Sequence, residues 1–181
     1  MKKPIVALAA SAAALALGAS VALAASVVAA KKYEYDVEKG TAEAERKTFW
    51  EKYGGWCAIQ DWHPAVEKCE ESKEGDDTFR TLTLKDGGGT IREQLIASSA
   101  TMYRYVILES PLPVQNYSAQ FQVLPEGDDL DGVKLTWSAT FDPAEGKDAK
   151  EARDTINGIF EAGIDAIKAD HGGSSDDDDD D

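Results

Sequence analysis

The sequence predicts an α+β fold in which an antiparallel sheet is covered on one face by a long C-terminal helix. Apolar residues recur every three or four positions in the last structured segment, which is the spacing of an amphipathic helix. The region before it alternates apolar and polar residues over short stretches separated by turn residues, which is typical of antiparallel strands. A helix with one apolar face needs a surface to pack on, and the sheet supplies it.

The C-terminal helix is predicted over Asp142 to Ala169, with Asp142 as the N-cap and Pro143 at the first helical position. A start displaced by about one turn because of Gly146 is the alternative. Gly158 and Gly163 each cost about 1 kcal/mol relative to Ala inside a helix. We therefore expect the apolar stripe to lie close to another surface, where a side chain would not fit. The stripe consists of Ile156, Ile159, Phe160, Gly163, Ile164 and Ile167.

Before this helix, the sequence predicts one strand, two short helical segments and six further strands. The first strand is predicted at Tyr33 to Glu38, a helix capped by Thr41 and running to about Tyr53, and a short helix or turn from Trp56 to Trp62. A hairpin turn is predicted at Asp86 to Gly89. The six further strands are predicted at Val66 to Ser72, Thr78 to Leu84, Thr90 to Ser98, Met102 to Glu109, Asn116 to Leu124 and Val133 to Phe141.

The charge of the chain excludes some classes of partner. The formal net charge is −15, and no cluster of Lys and Arg interleaved with aromatic residues is present in the sequence. Nucleic acids and anionic membrane surfaces are bound through such clusters, so neither is an expected partner. Solubility is the simplest interpretation of the acidity.

Both ends of the chain differ in composition from the middle. Lys2 and Lys3 precede a long uncharged, Ala-rich run, which predicts a signal peptide at residues 1–24, with a cut as late as Ala30 as the alternative. The protein is then periplasmic or secreted and not membrane-bound after cleavage; an uncleaved membrane anchor is the rival interpretation. Residues 171–181, which end in six aspartates, are predicted to be a disordered acidic tail.

Four short stretches carry a resemblance to a known family: Gly54 to Val66, Arg80 to Leu84, Ile91 to Leu95 and Pro111 to Tyr117. Together with the order of elements, they resemble the SRPBCC superfamily in its polyketide cyclase/dehydrase-like branch. The resemblance implies a START-like, helix-grip domain over residues 32–170. In such a domain a curved antiparallel sheet of six to seven strands wraps the C-terminal helix and leaves a cavity for an apolar ligand.

The hairpin places Arg80 and Glu93 on the same face, opposite or diagonal to each other. If that face is apolar the two charges must pair, because a buried unpaired ion costs several kcal/mol. The pair either fixes the register of the sheet, or Glu93 holds the guanidinium while Arg80 orients a ligand carbonyl or carboxylate. If the protein is an enzyme, the catalytic candidates are Arg80, Glu93 and Tyr105.

The helix-grip fold also suggests which residues meet a ligand. Trp62 and His63 would lie at the lip of the cavity. Buried tyrosines either belong to the core or indicate a cavity that is open to water at one end. No cofactor and no metal are expected. The candidate ligand-binding residues are Trp62, His63, Arg80, Glu93, Tyr105, Tyr117, Trp137 and Phe160.

The two cysteines allow three interpretations. Cys57, His63 and Cys69 are spaced by six and six, but three ligands without a fourth make a weak metal site. An exported protein meets an oxidising compartment, which favours a disulfide between Cys57 and Cys69 over free thiols and over a metal.

Three functions are consistent with these observations. The first is a non-catalytic binding protein that holds a small hydrophobic or amphipathic ligand. The second is an accessory protein of a periplasmic redox system, since the branch includes an exported component associated with methanol oxidation and the acidic surface could steer a basic protein partner. The third is a cyclase- or dehydrase-type enzyme.

Overall fold

A computed structural model describes residues 26–172, in which seven strands form one antiparallel sheet around a C-terminal helix. The strands are Val27–Asp36 (β1), Val66–Glu74 (β2), Asp77–Leu84 (β3), Thr90–Ser98 (β4), Met102–Glu109 (β5), Val114–Glu126 (β6) and Gly132–Pro143 (β7). The helices are Ala42–Tyr53 (α1), Ile59–Trp62 (α2) and Ala149–His171 (α3). The predicted signal peptide and the six aspartates lie outside the described residues.

The strand order in the sheet is β1-β7-β6-β5-β4-β3-β2. Strands β2 to β7 pair in sequence, each antiparallel to the next, and β1 pairs with β7. The helices α1 and α2 connect β1 to β2, which lie at opposite edges of the sheet. This confirms the predicted α+β class, the two short helices and the long C-terminal helix.

The first strand is longer than predicted and begins at Val27 rather than Tyr33. Its first residues pair with β7, from Val27 opposite Phe141 to Asp36 opposite Gly132. Side chains on its inner face, such as Ala29 and Tyr33, are buried. The sequence alone does not indicate a strand here, because the Ala-rich composition of this segment continues that of the predicted signal peptide.

The C-terminal helix begins at Ala149, so Asp142 is not its N-cap and the start is displaced past Gly146. Asp148 is the N-cap, and its side chain accepts hydrogen bonds from the backbone N–H groups of Lys150 and Glu151. Asp142 and Pro143 instead end β7, where they lie opposite β6. The helix continues to His171, the position at which the acidic tail was predicted to begin.

The apolar stripe of α3 is buried as predicted, although Ile159 is only half-buried. A Cβ atom on Gly163 would lie 2.7 Å from Cδ2 of His63 and 2.9 Å from the rings of Trp137 and Trp62. The expected close approach is therefore real at Gly163. It is wrong at Gly158, where a Cβ atom would meet nothing within 4 Å.

We expect Gly163→Ala to lower the free energy of unfolding by about 1–3 kcal/mol, because the added methyl group overpacks the contact with His63 and the two tryptophans. Gly158→Ala is the matched control on the same helix. It should raise the free energy of unfolding by up to about 1 kcal/mol, since alanine is the better helix former and the position is open. Urea unfolding of both variants checks the opposite signs, and a neutral Gly163→Ala would contradict the close packing.

Within residues 26–172, no helix is both long enough and apolar enough to cross a membrane.

Candidate functional site

A cavity of about 130 Å³ lies between the concave face of the sheet and α3. The period of two along the strands turns alternate side chains toward it, while α3 closes it from the other side. Most of its walls are aliphatic or aromatic. The lining residues are Ile59, His63, Ala65, Val66, Leu82, Leu84, Ile91, Glu93, Tyr105, Ile107, Leu112, Tyr117, Trp137, Ile156, Ile159 and Phe160.

The eight residues proposed from the sequence divide into two groups. Trp62 and Arg80 do not line the cavity. Trp62 stacks on Phe121 with ring centroids 5.7 Å apart and packs against Trp137 in the core. The structure brings the remaining six together around the cavity: His63, Glu93, Tyr105, Tyr117, Trp137 and Phe160.

Sequence reasoning missed most of the aliphatic wall. Leu82 and Leu84 share a strand face with Arg80, Ile91 shares one with Glu93, and Ile107 shares one with Tyr105. The same period of two that indicated the polar residues therefore contained the signal for their apolar neighbours. No comparable signal marks Leu112, which follows β5 in the connection to β6.

Arg80 and Glu93 lie directly opposite each other on β3 and β4, as the hairpin predicted. Both are buried, and Nε of Arg80 donates a hydrogen bond to Oε2 of Glu93. Nη1 of Arg80 donates to the backbone carbonyl of Trp56 at 2.5 Å. The guanidinium carbon lies 3.9 Å from the ring centroid of Trp56 and 5.2 Å from that of Tyr105.

These contacts place Glu93 at the cavity wall and Arg80 behind it. The order is the reverse of the interpretation in which Arg80 meets the ligand and Glu93 holds the guanidinium. Burial raises the pKa of Glu93 above its ordinary value, and the charge of Arg80 acts in the opposite direction. Burial is the largest influence on Arg80 and disfavours its charge, but Glu93, Tyr103 and Tyr105 together outweigh burial and raise the pKa of Arg80.

The tyrosine hydroxyls in the cavity wall are held in their neutral form. Nε1 of Trp137 donates a hydrogen bond to the hydroxyl of Tyr105 at 3.0 Å. Burial raises the pKa of Tyr105 and of Tyr117 well above the ordinary value for tyrosine. Neither hydroxyl therefore loses its proton near neutral pH.

His63 is a structural residue of the cavity wall, because both of its ring nitrogens have backbone partners. Nε2 lies 3.0 Å from the carbonyl of Ile159, and Nδ1 accepts from the N–H of Ala65 at 3.2 Å. Since a carbonyl only accepts, Nε2 carries the proton and the ring is neutral. Burial lowers the pKa of His63, the bond to Ile159 partly opposes this, and the charges of Lys85 and Arg80 lower it further.

A depressed pKa of His63 predicts a loss of stability in mild acid. The unfolded chain takes up the proton near pH 6.5, whereas the folded chain takes it up only at lower pH. The contribution of His63 to the free energy of unfolding is thus fully present above about pH 6.5. It is lost as the pH falls toward the pKa of His63 in the folded chain, by at most about 1.4 kcal/mol per pH unit.

His63→Gln retains a side-chain N–H for Ile159 and removes the titration. We expect the stability difference between wild type and this variant to shrink as the pH falls from 7 to 5, measured by urea unfolding. Glu93 and the other carboxylates are present in both proteins, so their contributions to the pH dependence cancel in the difference. A constant difference over this range would contradict the assignment of His63 as a buried neutral ring.

Cys57 and Cys69 form a disulfide, which confirms the favoured pairing. The bond joins the segment before α2 to β2, and Gln60 of α2 also accepts from the backbone N–H of Cys69 at 3.0 Å. The two sulfurs are bonded to each other and are not available as thiolate ligands. Across residues 26–172, no group of three or more His, Cys, Asp or Glu side chains is placed to hold a metal ion.

Comparison with known proteins relates this architecture to a family. Residues 37–172 match the family described as polyketide cyclase/dehydrase and lipid transport. The structure of XoxI from Bacillus cereus shares 27% sequence identity with a TM-score of 0.67, and covers 80% of this chain and 94% of that chain. A comparison with curated proteins found no match.

Two more distant structures share the fold. A START superfamily protein from Mycobacterium smegmatis is 13% identical with a TM-score of 0.60, covering 79% of this chain and 95% of that chain. The Zhui aromatase/cyclase from Streptomyces sp. R1128 is 18% identical with a TM-score of 0.55, covering 79% and 93%. The architecture described above is therefore the helix-grip fold.

Proposed function

Because the chain belongs to the polyketide cyclase/dehydrase and lipid transport family, we propose that it is an exported binding protein for a small hydrophobic or amphipathic ligand. The observation that carries the proposal is the cavity between the sheet and α3, which has an almost wholly apolar wall. Pockets that bind small molecules have this composition, with a few placed polar groups.

The size of the cavity limits the guest. Its volume of about 130 Å³ is close to that of cavities that accept one benzene ring, and below the roughly 300–1,000 Å³ of pockets for drug-sized ligands. A long polyketone chain does not fit in this space. The ligand, or the part of it that enters, is therefore compact.

Catalysis by a cyclase or dehydrase mechanism is the less favoured alternative. Its candidates Arg80, Glu93 and Tyr105 lie together, but Arg80 is enclosed by Glu93 and the ring of Trp56. Burial raises the pKa of Tyr105 so far that its hydroxyl is a poor proton donor near neutral pH. Glu93 and Tyr105, which line the cavity, are better suited to holding a ligand in one orientation.

Export is supported by the disulfide between Cys57 and Cys69, since such bonds persist in oxidising compartments. We favour the signal-peptide cut after Ala24 over the cut after Ala30. The later cut would remove Val27 to Ala30, four residues that pair with β7. N-terminal sequencing of the exported protein distinguishes the two positions.

An accessory role in a periplasmic redox system is the second candidate. Its support is the net charge of −15, which would attract a basic partner protein over a distance. Such steering weakens with ionic strength, so capture of a partner that does not respond to salt would count against it.

Native mass spectrometry of the protein purified from its own source tests the binding proposal. Wild-type protein should carry a bound compound, and Val66→Phe should not, because the added ring fills the cavity. Val106→Phe is the matched control, since Val106 is half-buried and does not line the cavity. A compound retained equally by Val66→Phe would be bound elsewhere and would overturn the proposal.

A further inference from the structure

The polar part of the cavity wall carries a negative charge. Among the residues that line the cavity, Glu93 is the one with a formal charge, since His63 is neutral: its Nδ1 accepts from the N–H of Ala65. The cationic partner of Glu93 is not on the wall. Arg80 is completely buried behind it, with one face covered by the ring of Trp56.

Only half of the Glu93 carboxylate is used by the protein. Oε2 accepts from Nε of Arg80, and no hydrogen bond to Oε1 is found within residues 26–172. A carboxylate accepts hydrogen bonds and donates none. A guest that presents a hydroxyl would therefore satisfy it, whereas a guest carboxylate or carbonyl oxygen would be repelled.

The neighbouring tyrosines favour a hydroxyl over an ammonium group. Tyr105 and Tyr117 contribute neutral hydroxyls to the same wall, and Tyr105 already accepts from Trp137. A guest hydroxyl can donate to Glu93 and accept from a tyrosine at once, but an ammonium group cannot accept. The remaining walls, including Ile91, Ile156 and Phe160, suit one apolar ring.

We propose that the cavity selects a simple phenol, that is, a compact one-ring compound with a hydroxyl group. Glu93 accepts a hydrogen bond from that hydroxyl. The inference rests on the proposed binding function. It specifies the ligand class of the same cavity and identifies Glu93 as the residue that determines specificity.

Three probes of similar size separate the possibilities: toluene, phenol and benzoate. Binding to the full folded domain is followed by NMR titration of the Trp137 indole N–H, which lies in the cavity wall. Phenol is expected to bind about 10-fold more tightly than toluene or better, as for a hydrogen bond to a charged group. Benzoate is expected to bind more weakly than toluene.

The outcomes distinguish this inference from the function on which it rests. Equal affinity for toluene and phenol, or tighter binding of benzoate, overturns the selectivity and leaves the binding function in place. Absence of binding by all three probes overturns both.

Glu93→Gln tests the residue itself, because the amide keeps an oxygen for Arg80 and can turn a donor toward the cavity. The preference for phenol over toluene should fall at least fivefold, and the affinity for benzoate should rise relative to that for toluene. If this variant does not fold, Arg80→Met/Glu93→Leu removes both charges together. Toluene should still bind to it, without a preference for phenol. A preference for phenol that survives in either folded variant would overturn the role of Glu93.

Discussion

Arg80→Met is expected to lower the free energy of unfolding by about 3–5 kcal/mol, the largest single effect that the structure predicts. The substitution keeps an unbranched side chain in place but leaves the carboxylate of Glu93 buried without its partner. It also removes the donor to the carbonyl of Trp56 and the stacking on that ring. Urea unfolding followed by tryptophan fluorescence measures the change.

The double variant Arg80→Met/Glu93→Leu is the control that separates charge from packing. Replacing both members of a buried ion pair with apolar residues is often close to neutral. We therefore expect it to recover most of the stability that Arg80→Met loses. A double variant that is as unstable as the single one would show that the packing of Arg80, rather than its pairing with Glu93, dominates.

Loss of the disulfide is expected to have the second-largest effect, about 3 kcal/mol in the free energy of unfolding. Cys57 and Cys69 are 12 residues apart, so the bond closes a short loop in the unfolded chain. It also holds the segment before α2 against β2, next to the bond between Gln60 and Cys69. The measurement compares Cys57→Ser/Cys69→Ser with wild type.

Chemical reduction of wild-type protein provides an independent check of the same bond. Reduced wild type and the double serine variant should unfold at similar urea concentrations, and a reducing agent should not affect the variant. Intact mass after alkylation gives the direct answer. Modification of both cysteines without a reducing agent would contradict the disulfide.

Local patterns predicted the middle of the sheet well. The bounds of β4 and β5 agree with the sequence, because period-two alternation and turn residues define both ends of each strand. The hairpin also set the register that places Arg80 opposite Glu93. Short-range pairing of this kind depends on residues close in sequence, which is why it could be read without a structure.

Features that depend on distant pairing could not be predicted. Asp142 and Pro143 form a good helix start locally, but their pairing with β6 makes them the end of β7. Val27 joins the sheet through Phe141, a partner more than a hundred residues away. In both cases a long-range contact overrides a local preference.

The orientation of the charged pair in the site was equally hidden. Arg80 and Glu93 share one face of the sheet, so the pattern could not say which of them meets the cavity. The answer depends on Trp56, which lies between α1 and α2 and covers the guanidinium with its ring and carbonyl. Nothing in the spacing of the strands indicates that contact.

Ligand binding by this protein requires an apolar cavity between the sheet and α3 that accepts a small molecule. Xenon pressurisation of a crystal is the decisive measurement, because xenon enters dry apolar cavities of about this size without needing a specific contact. We expect a xenon peak surrounded by Ile91, Trp137, Ile156 and Phe160. A map in which side chains fill that space and no xenon enters would contradict it.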